Sequence, residues 1–342
     1  MSGPLLRARR QSGFTLLAVV LAMSLVAAVA FLLNRDNGVS AGMLAGQDDA
    51  ERARLAAEAG LQAANYVVQQ HGCAGGFPTS VTPVTNNNFA GAAYSAYADR
   101  ASGSPLALSA TGTYNGASVT LARPTVYVYQ SPMKSYTIQP GPGATHDTQI
   151  NNTFPNRNYG TATSLDLDSN TYALLVQFDF SALPAGSRVI PWYDGTQLRP
   201  GAQLGLYVDT VGLPTADTVN AYVLTRSWRM GTRKGSGQEP DGATWNSYDG
   251  QHAWSTPGGD YASAVLASAP ATGAVGWMNW DITDAVAAWM SGPYPNDGIR
   301  LYPAGTGIKS MRLVSGSNTA SPMLRPEVDL NYLLPCGATA PS

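Results

Sequence analysis

The chain has 342 residues, 44% of them hydrophobic and only 12% charged, with a formal net charge of −2. Such a length allows about two domains, and the near-neutral balance leaves no basic footprint for a nucleic-acid partner. Gly and Pro are abundant at 36 and 23 residues, and turn-rich sequence between short apolar runs points to an all-β exported domain.

Arg7, Arg9 and Arg10 form a short basic leader, Gly13 follows, and a mostly apolar run extends from Phe14 to Leu33. At ~1.5 Å per helical residue this run is long enough to cross a hydrocarbon core of ~30 Å. The leader charge favours a cytoplasmic N-terminus. A secretory signal peptide is cut after its apolar region, whereas the candidate junction here, Gly13-Phe14, precedes it. No second apolar run of membrane length follows, so the main domain is expected on the periplasmic or extracellular side. Residues Val39 to Gln70 read as a helix. Asp48 and Arg52, and likewise Arg54 and Glu58, are four apart, so each pair meets on one helix face.

The leader, the Gly13-Phe14 junction and the retained apolar helix resemble a type IV prepilin. The segment ERARLAAEAGLQAANYVVQQ (Glu51 to Gln70) resembles the juxtamembrane helix of PilX-type minor pilins. The resemblance implies cleavage between Gly13 and Phe14 by prepilin peptidase. It also implies a single helix in the bacterial inner membrane before assembly, and other pilins or minor pilins as partners of that helix. Most major pilins carry a glutamate at the fifth mature position, where this chain has Ala18. A buried carboxylate needs a partner. Ala18 makes no such demand on a neighbour, as suits a subunit that primes or caps a filament.

Cys73 and Cys336 are the only cysteines, and in an exported chain they are expected to form one disulfide. Closing a loop of roughly 260 residues contributes at most about 5 kcal/mol in the loop-entropy account. Ala74 to Asn88 reads as a loop. Ala90 to Asp99, Leu106 to Tyr114 and Ala117 to Tyr129 read as strands, the last two joined by the hairpin signal Asn115-Gly116. Gln130 to Gly143 carries three prolines and reads as an interdomain linker. The expected organisation is a leader (1–13), a transmembrane and stalk helix (14–73), a small pilin-like β-sheet (74–130), a linker (131–144), a β-sandwich (145–336) and a tail (337–342).

From Asp147 to Gly186 the run DTQINNTFPNRNYGTATSLDLDSNTYALLVQFDFSALPAG resembles the opening of a DNRLRE domain. GATWNSYDG (Gly242 to Gly250), WSTPGGDY (Trp254 to Tyr261), WDITDAVAAWMSG (Trp280 to Gly292) and LRPEVDLNY (Leu324 to Tyr332) follow in the family's order. The resemblance covers nearly all of 145–335. It implies a jelly-roll β-sandwich, and some relatives are carbohydrate-binding modules, alginate binders among them. The fold class expected is therefore an α+β pilin-like module, a long helix plus a small antiparallel sheet, followed by an all-β jelly-roll sandwich. Tyr172 to Phe180 alternates as a strand should, with Leu174, Val176, Phe178 and Phe180 on one face. Asp281 to Met290 is the one helical patch, with Ile282, Val286 and Trp289 on one side and Asp281 or Thr283 as its cap.

No catalytic constellation is expected. Gly38 to Gly42 spells G-x-S-x-G, but after an apolar helix rather than a strand. Asp166, Asp168 and Asn170 begin an EF-hand pattern that fails at Thr171 and Gln177. No CxxC or His-rich spacing suggests zinc. A structural calcium held by oxygens of Asp147, Asn151 or Asp281 is a candidate, and no other cofactor is expected. Trp192, Tyr193, Trp245, Tyr248, Trp254 and Tyr261 lie in Gly- or Pro-rich sequence and are candidates for stacking on the apolar C–H faces of sugars. The competing role for Trp245 and Trp254 is to pin the long Gly231 to Gly259 excursion. The function expected is a minor pilin or pseudopilin that primes or caps a type IV pilus. It would display an adhesive domain at the tip, for a polysaccharide or host-surface ligand. The alternative is a signal-anchored carbohydrate-binding surface protein outside any filament.

Overall fold

The computed structural model describes residue 23 and residues 46–341, apart from 142–143, 145, 213–216, 236–239, 272 and 309. Gly13, Phe14, Ala18 and the Gly38 to Gly42 stretch therefore lie outside the described residues, as does the expected apolar span except Met23. Among the described residues no helix is long and apolar enough to cross a membrane. The chain forms two compact units, one reaching Ser102 and including Leu106–Val126, the other holding Gly103–Pro105 and Tyr127 onward.

The first unit is a helix on a sheet. Helix α1 covers residues 46–71. Ala53, Ala56, Ala57, Leu61, Ala64 and Val68 are all buried, a spacing that lines one helical face. Five of these six bury nothing larger than a valine, so the helix lies close to its sheet. The closest point is Gly112, where an added Cβ would fall 2.0 Å from the Ala53 carbonyl oxygen. The expected pairs form on the exposed side, Arg52 to Asp48 at 2.9 Å and Arg54 to Glu58 at 3.0 Å. The sheet runs in the order β1 (Val84–Phe89), β2 (Ala92–Ala98), β3 (Leu106–Tyr114) and β4 (Ala117–Val126). Asn115 and Gly116 both have positive φ, as a two-residue type I′ hairpin requires.

Strand β1 corrects the loop expected over 74–88. Its sequence VTNNNF is almost wholly exposed, so it carries no apolar alternation, and only pairing with β2 makes it a strand. The turn into β2 uses Ala90 and Gly91, again both at positive φ. Alanine there gives no turn signal.

In the second unit the strands are β5 (Lys134–Ile138), β6 (His146–Asn151), β7 (Ser164–Leu167), β8 (Tyr172–Gln177), β9 (Arg188–Val189), β10 (Trp192–Tyr193) and β11 (Leu198–Arg199). They continue with β12 (Ala202–Gly212), β13 (Asp217–Val223), β14 (Ala267–Ala271), β15 (Gly276–Asp281), helix α2 (Thr283–Ser291), β16 (Ile299–Pro303), β17 (Ser310–Val314) and β18 (Glu327–Leu333). One sheet has the order β5-β18-β12-β17-β7, with β15 on β12 and β9 on β18. The other has the order β14-β13-β16-β8-β6, and β10 and β11 form a separate hairpin. The pairings are antiparallel.

Both sheets contribute to one core. Leu165, Leu204, Leu206, Leu313 and Val328 come from the first, and Leu174, Val176, Val219 and Leu301 from the second. Trp280 is 1% exposed and its indole N–H donates to the Val219 carbonyl at 2.8 Å, joining β15 to the opposite sheet. Helix α2 caps one end of the sandwich, with Ile282 and Val286 buried and Trp289 packed against the core. The N-cap position is Ile282, not Asp281 or Thr283; Asp281, one residue earlier, accepts from the Thr283 N–H at 3.0 Å. The Thr283 hydroxyl accepts from the N–H groups of Gly201 and Ala202 and so ties α2 to the start of β12.

Strand β5 corrects the linker expected over 131–144. Residues 134–138 pair with β18 as an edge of the larger sheet, and Tyr136 and Ile138 pack on the core. Prolines and glycines flank this strand but do not enter it.

Candidate polysaccharide-binding cleft

A sandwich has two outer faces, and in this molecule they differ. The excursion between β13 and β14 folds back over the smaller sheet. Ile150, Ala173, Leu175 and Leu224 form a second apolar cluster there with Ala243 and Trp254 of the excursion. Asn158, 1% exposed, holds the excursion down by donating to the Met230 and Ala243 carbonyls at 2.7 and 2.9 Å.

This packing decides the fate of most candidate aromatics. Trp254 is 4% exposed and donates to the Thr244 carbonyl at 2.9 Å, so it is a core residue and not a stacking platform. Trp245 packs on the same cluster, and an added Cβ at Gly258 would fall 2.9 Å from its ring. Tyr248 stacks on His252, meets the edge of Trp254 and lies under the Arg226 guanidinium. Tyr261 is partly exposed but carries the Arg300 guanidinium 4.3 Å from its ring centre.

The larger sheet leaves part of its outer face open. Hairpin β10–β11 stands over it and makes a cleft of about 300 Å³ lined by Ser135, Thr137, Trp192, Arg199, Gln203, Asp329 and Asn331, among others. Adjacent strand residues point to opposite sides. Accordingly Trp192 lines the cleft, while Tyr193 is 65% exposed and outside its lining. The Trp192 Nε1 atom is buried and has no hydrogen-bond partner among the described residues. Thr137 donates to Asp329 at 2.6 Å, and Ser135 donates to Asn331 at 2.9 Å. At the rim Asp194 accepts from the Thr196 hydroxyl, the Gln197 and Thr196 N–H groups and Arg199, which together hold its carboxyl well below the usual range. These bonds close the turn and fix the hairpin.

Sequence reasoning singled out Trp192 but missed the polar floor. Its signal was the alternation in EVDLNYL, which puts Asp329 and Asn331 opposite buried Val328, Leu330 and Tyr332. The same rule in GWMNWD puts Trp277, Asn279 and Asp281 outward. Trp277 meets Tyr207 edge-on at 5.5 Å farther along this face.

The three calcium candidates do not converge. Asp147 and Asn151 are four apart on β6, hence ~13 Å apart along the strand, and Asp281 belongs to the other sheet. Asn151 accepts from the Thr153 and Phe154 N–H groups and shapes a turn. Among the described residues no three His, Cys, Asp or Glu side chains form a metal cluster. Cys73 and Cys336 are disulfide-bonded, and neither is a free thiol.

Comparison with protein families now gives the sandwich a class. The model for carbohydrate-binding module family 96 matches residues 142–325, more than half of the chain. The chain belongs to carbohydrate-binding module family 96. No curated protein matches it. The family 96 match includes Trp192, Arg199 and Gln203 but ends before β18 and begins after β5. Two of the cleft's strands therefore lie outside the matched region.

Proposed function

We propose that the protein is a surface-displayed polysaccharide-binding subunit, a minor pilin that primes or caps a type IV pilus, with the cleft beside Trp192 as its sugar site. The cleft is the observation that carries the binding reading. It joins one aromatic face, an indole N–H in need of an acceptor, and the amide and carboxylate groups of Gln203 and Asp329. That is the chemistry of a pyranose, which offers apolar C–H faces ringed by hydroxyls. A larger cavity of about 530 Å³ beside α2 is lined chiefly by apolar residues such as Leu224, Leu266, Ala285 and Trp289, a poor match for hydroxyls. The all-antiparallel pairing and shared core support reading the sandwich as a jelly roll.

The pilin part rests on the basic leader, the Gly13-Phe14 junction and the Ala-lined helix α1 packed on a small antiparallel sheet. Ala18 also accommodates the second reading, a signal-anchored binding protein outside any filament. Finding the chain in sheared pili with Phe14 as its terminus supports the first. A retained Met1, or a cut near Asn34, rules it out. For the sugar site, the full chain on a glycan array should show retention that Trp192→Ala weakens several-fold, the loss expected for one stacked ring at about 1 kcal/mol. Unchanged retention would exclude this cleft.

A further inference from the structure

The cavity of about 530 Å³ beside α2 shares no lining residue with the cleft at Trp192. Its size falls within the ~300–1,000 Å³ usual for small-molecule sites, and its walls follow from the local sequence. Ile282 and Val286 of α2 turn into the core. The short side chains of Ala285 and Ala288 leave room beside the helix, which Val223, at the end of β13, and Leu266 close from the other side. Gly292, in the left-handed region, ends α2, and the returning chain adds Tyr294 to the wall that Trp289 begins.

Two carboxylates interrupt this apolar lining, and among the described residues no Lys, Arg or His joins them there. Asp284 is exposed, whereas Asp297 is only 6% exposed. The Asp297 backbone carbonyl accepts from the Trp228 indole N–H at 3.0 Å. Its carboxylate has no hydrogen bond and no ion pair among the described residues. Neither carboxylate oxygen is sealed off, and the cavity is the opening that Asp297 lines. Arg226 acts on Asp297 through its charge, but its guanidinium is engaged by Asp260 and Ser255 and lies over the Tyr248 ring. Burial raises the Asp297 carboxyl above its ordinary value, and Arg226 offsets part of the rise. That is the behaviour of a carboxylate drawn out of water without a bonded partner.

We propose that this cavity is a second binding site, which takes a small apolar ligand carrying one ammonium group, of the arylalkylamine class. The ligand's apolar body fills the space between Leu266, Ala288 and Trp289, and its ammonium donates charge-assisted hydrogen bonds to the Asp297 carboxylate. The Trp289 and Tyr294 rings add faces that attract a cation. Charge sets the preference. A neutral ligand of the same shape leaves Asp297 unpaired, and a carboxylate ligand brings like charge to both Asp297 and Asp284. A sugar would strand its hydroxyls against the apolar walls. The site is thus independent of the cleft, and the proposal stands or falls without the sugar assignment.

The test titrates the full-length chain at neutral pH with three probes of one shape, phenethylammonium, phenethyl alcohol and phenylacetate, read by calorimetry. The ammonium should bind about tenfold tighter than the alcohol, and the carboxylate more weakly than either. Asp297→Asn should lower ammonium affinity about tenfold and leave the alcohol nearly unchanged. Ala288→Phe, at a half-buried position on the cavity wall, should fill the space and abolish binding of both. Should Asp297→Asn fail to fold, Asp284→Asn at an exposed position should weaken the ammonium several-fold and spare the alcohol. Alcohol or carboxylate binding as tightly as the ammonium overturns the proposal. So does an absence of ammonium binding, ammonium binding that a folded Ala288→Phe variant retains in full, or an ammonium-to-alcohol preference that neither carboxylate substitution reduces.

Discussion

Asp147 shows how much one buried carboxyl can weigh. It is 1% exposed, accepts from the Gly316 N–H at 2.8 Å, and has an Oδ1 atom with no partner. Burial pushes it up to about 6 from an ordinary 3.8. A carboxyl raised in the folded state contributes stability that is full below the unfolded value and lost as pH rises through the folded one. The loss should therefore run from about pH 4 to beyond about pH 6, with a magnitude of order 3 kcal/mol. Asp147→Asn keeps an acceptor for Gly316 and removes the charge. Its melting temperature should exceed that of the native protein at pH 7.5, and the gap should close near pH 4. A gap of constant size across that window would show that ionisation is not the cause.

The two tryptophans Trp192 and Trp254 make the opposite comparison. Trp254→Ala should cost about 3–5 kcal/mol in urea unfolding, because its ring fills the cluster under the excursion and its N–H is satisfied there. Trp192→Ala removes a ring from a cleft wall and should cost much less. Equal losses would mean that Trp192 is core as well. Both residues sit in Gly- or Pro-rich sequence, and nothing in either neighbourhood says which ring faces water.

Among the elements, those with a periodic pattern were legible and those defined only by a partner were not. Strand β3 alternates Leu106, Leu108 and Ala110 inward, Asn115-Gly116 announces its hairpin, and α1 shows its apolar face and its ion pairs. Strands β1 and β5 are edge strands. One is a run of asparagines and the other lies between prolines, and each becomes a strand through backbone bonds to a neighbour. The meeting of α1 with its sheet was equally hidden, because it depends on the absence of a side chain. Gly112→Val should drive a branched side chain into the helix backbone at Ala53 and Ala57. A loss of about 1–3 kcal/mol or more is expected, read as lowered protection of α1 amides in hydrogen exchange. Unaltered protection would mean that the helix can shift away without cost.

At the scale of the whole molecule, one covalent feature was open to reading from composition alone. With two cysteines in the chain, the pairing needs no geometry to name. Non-reducing peptide mapping of the protein should recover a linked pair containing Cys73 and Cys336, and two alkylatable thiols would refute it. The carbohydrate-binding class was legible too, since the spaced motifs from Asp147 to Tyr332 carry it and family 96 matches residues 142–325. The sequence by itself determined the helix, the hairpin, the antiparallel β-rich class and the single cysteine pair, because each depends on neighbours along the chain or on simple counting. Only the tertiary structure decided which of the candidate side chains face solvent and which are covered. Thr137 and Asp329 meet across 192 residues, and Trp254 is closed off by an excursion that packs on the far sheet. Exposure is set by what covers a side chain, and in a sandwich the covering residues come from strands remote in sequence.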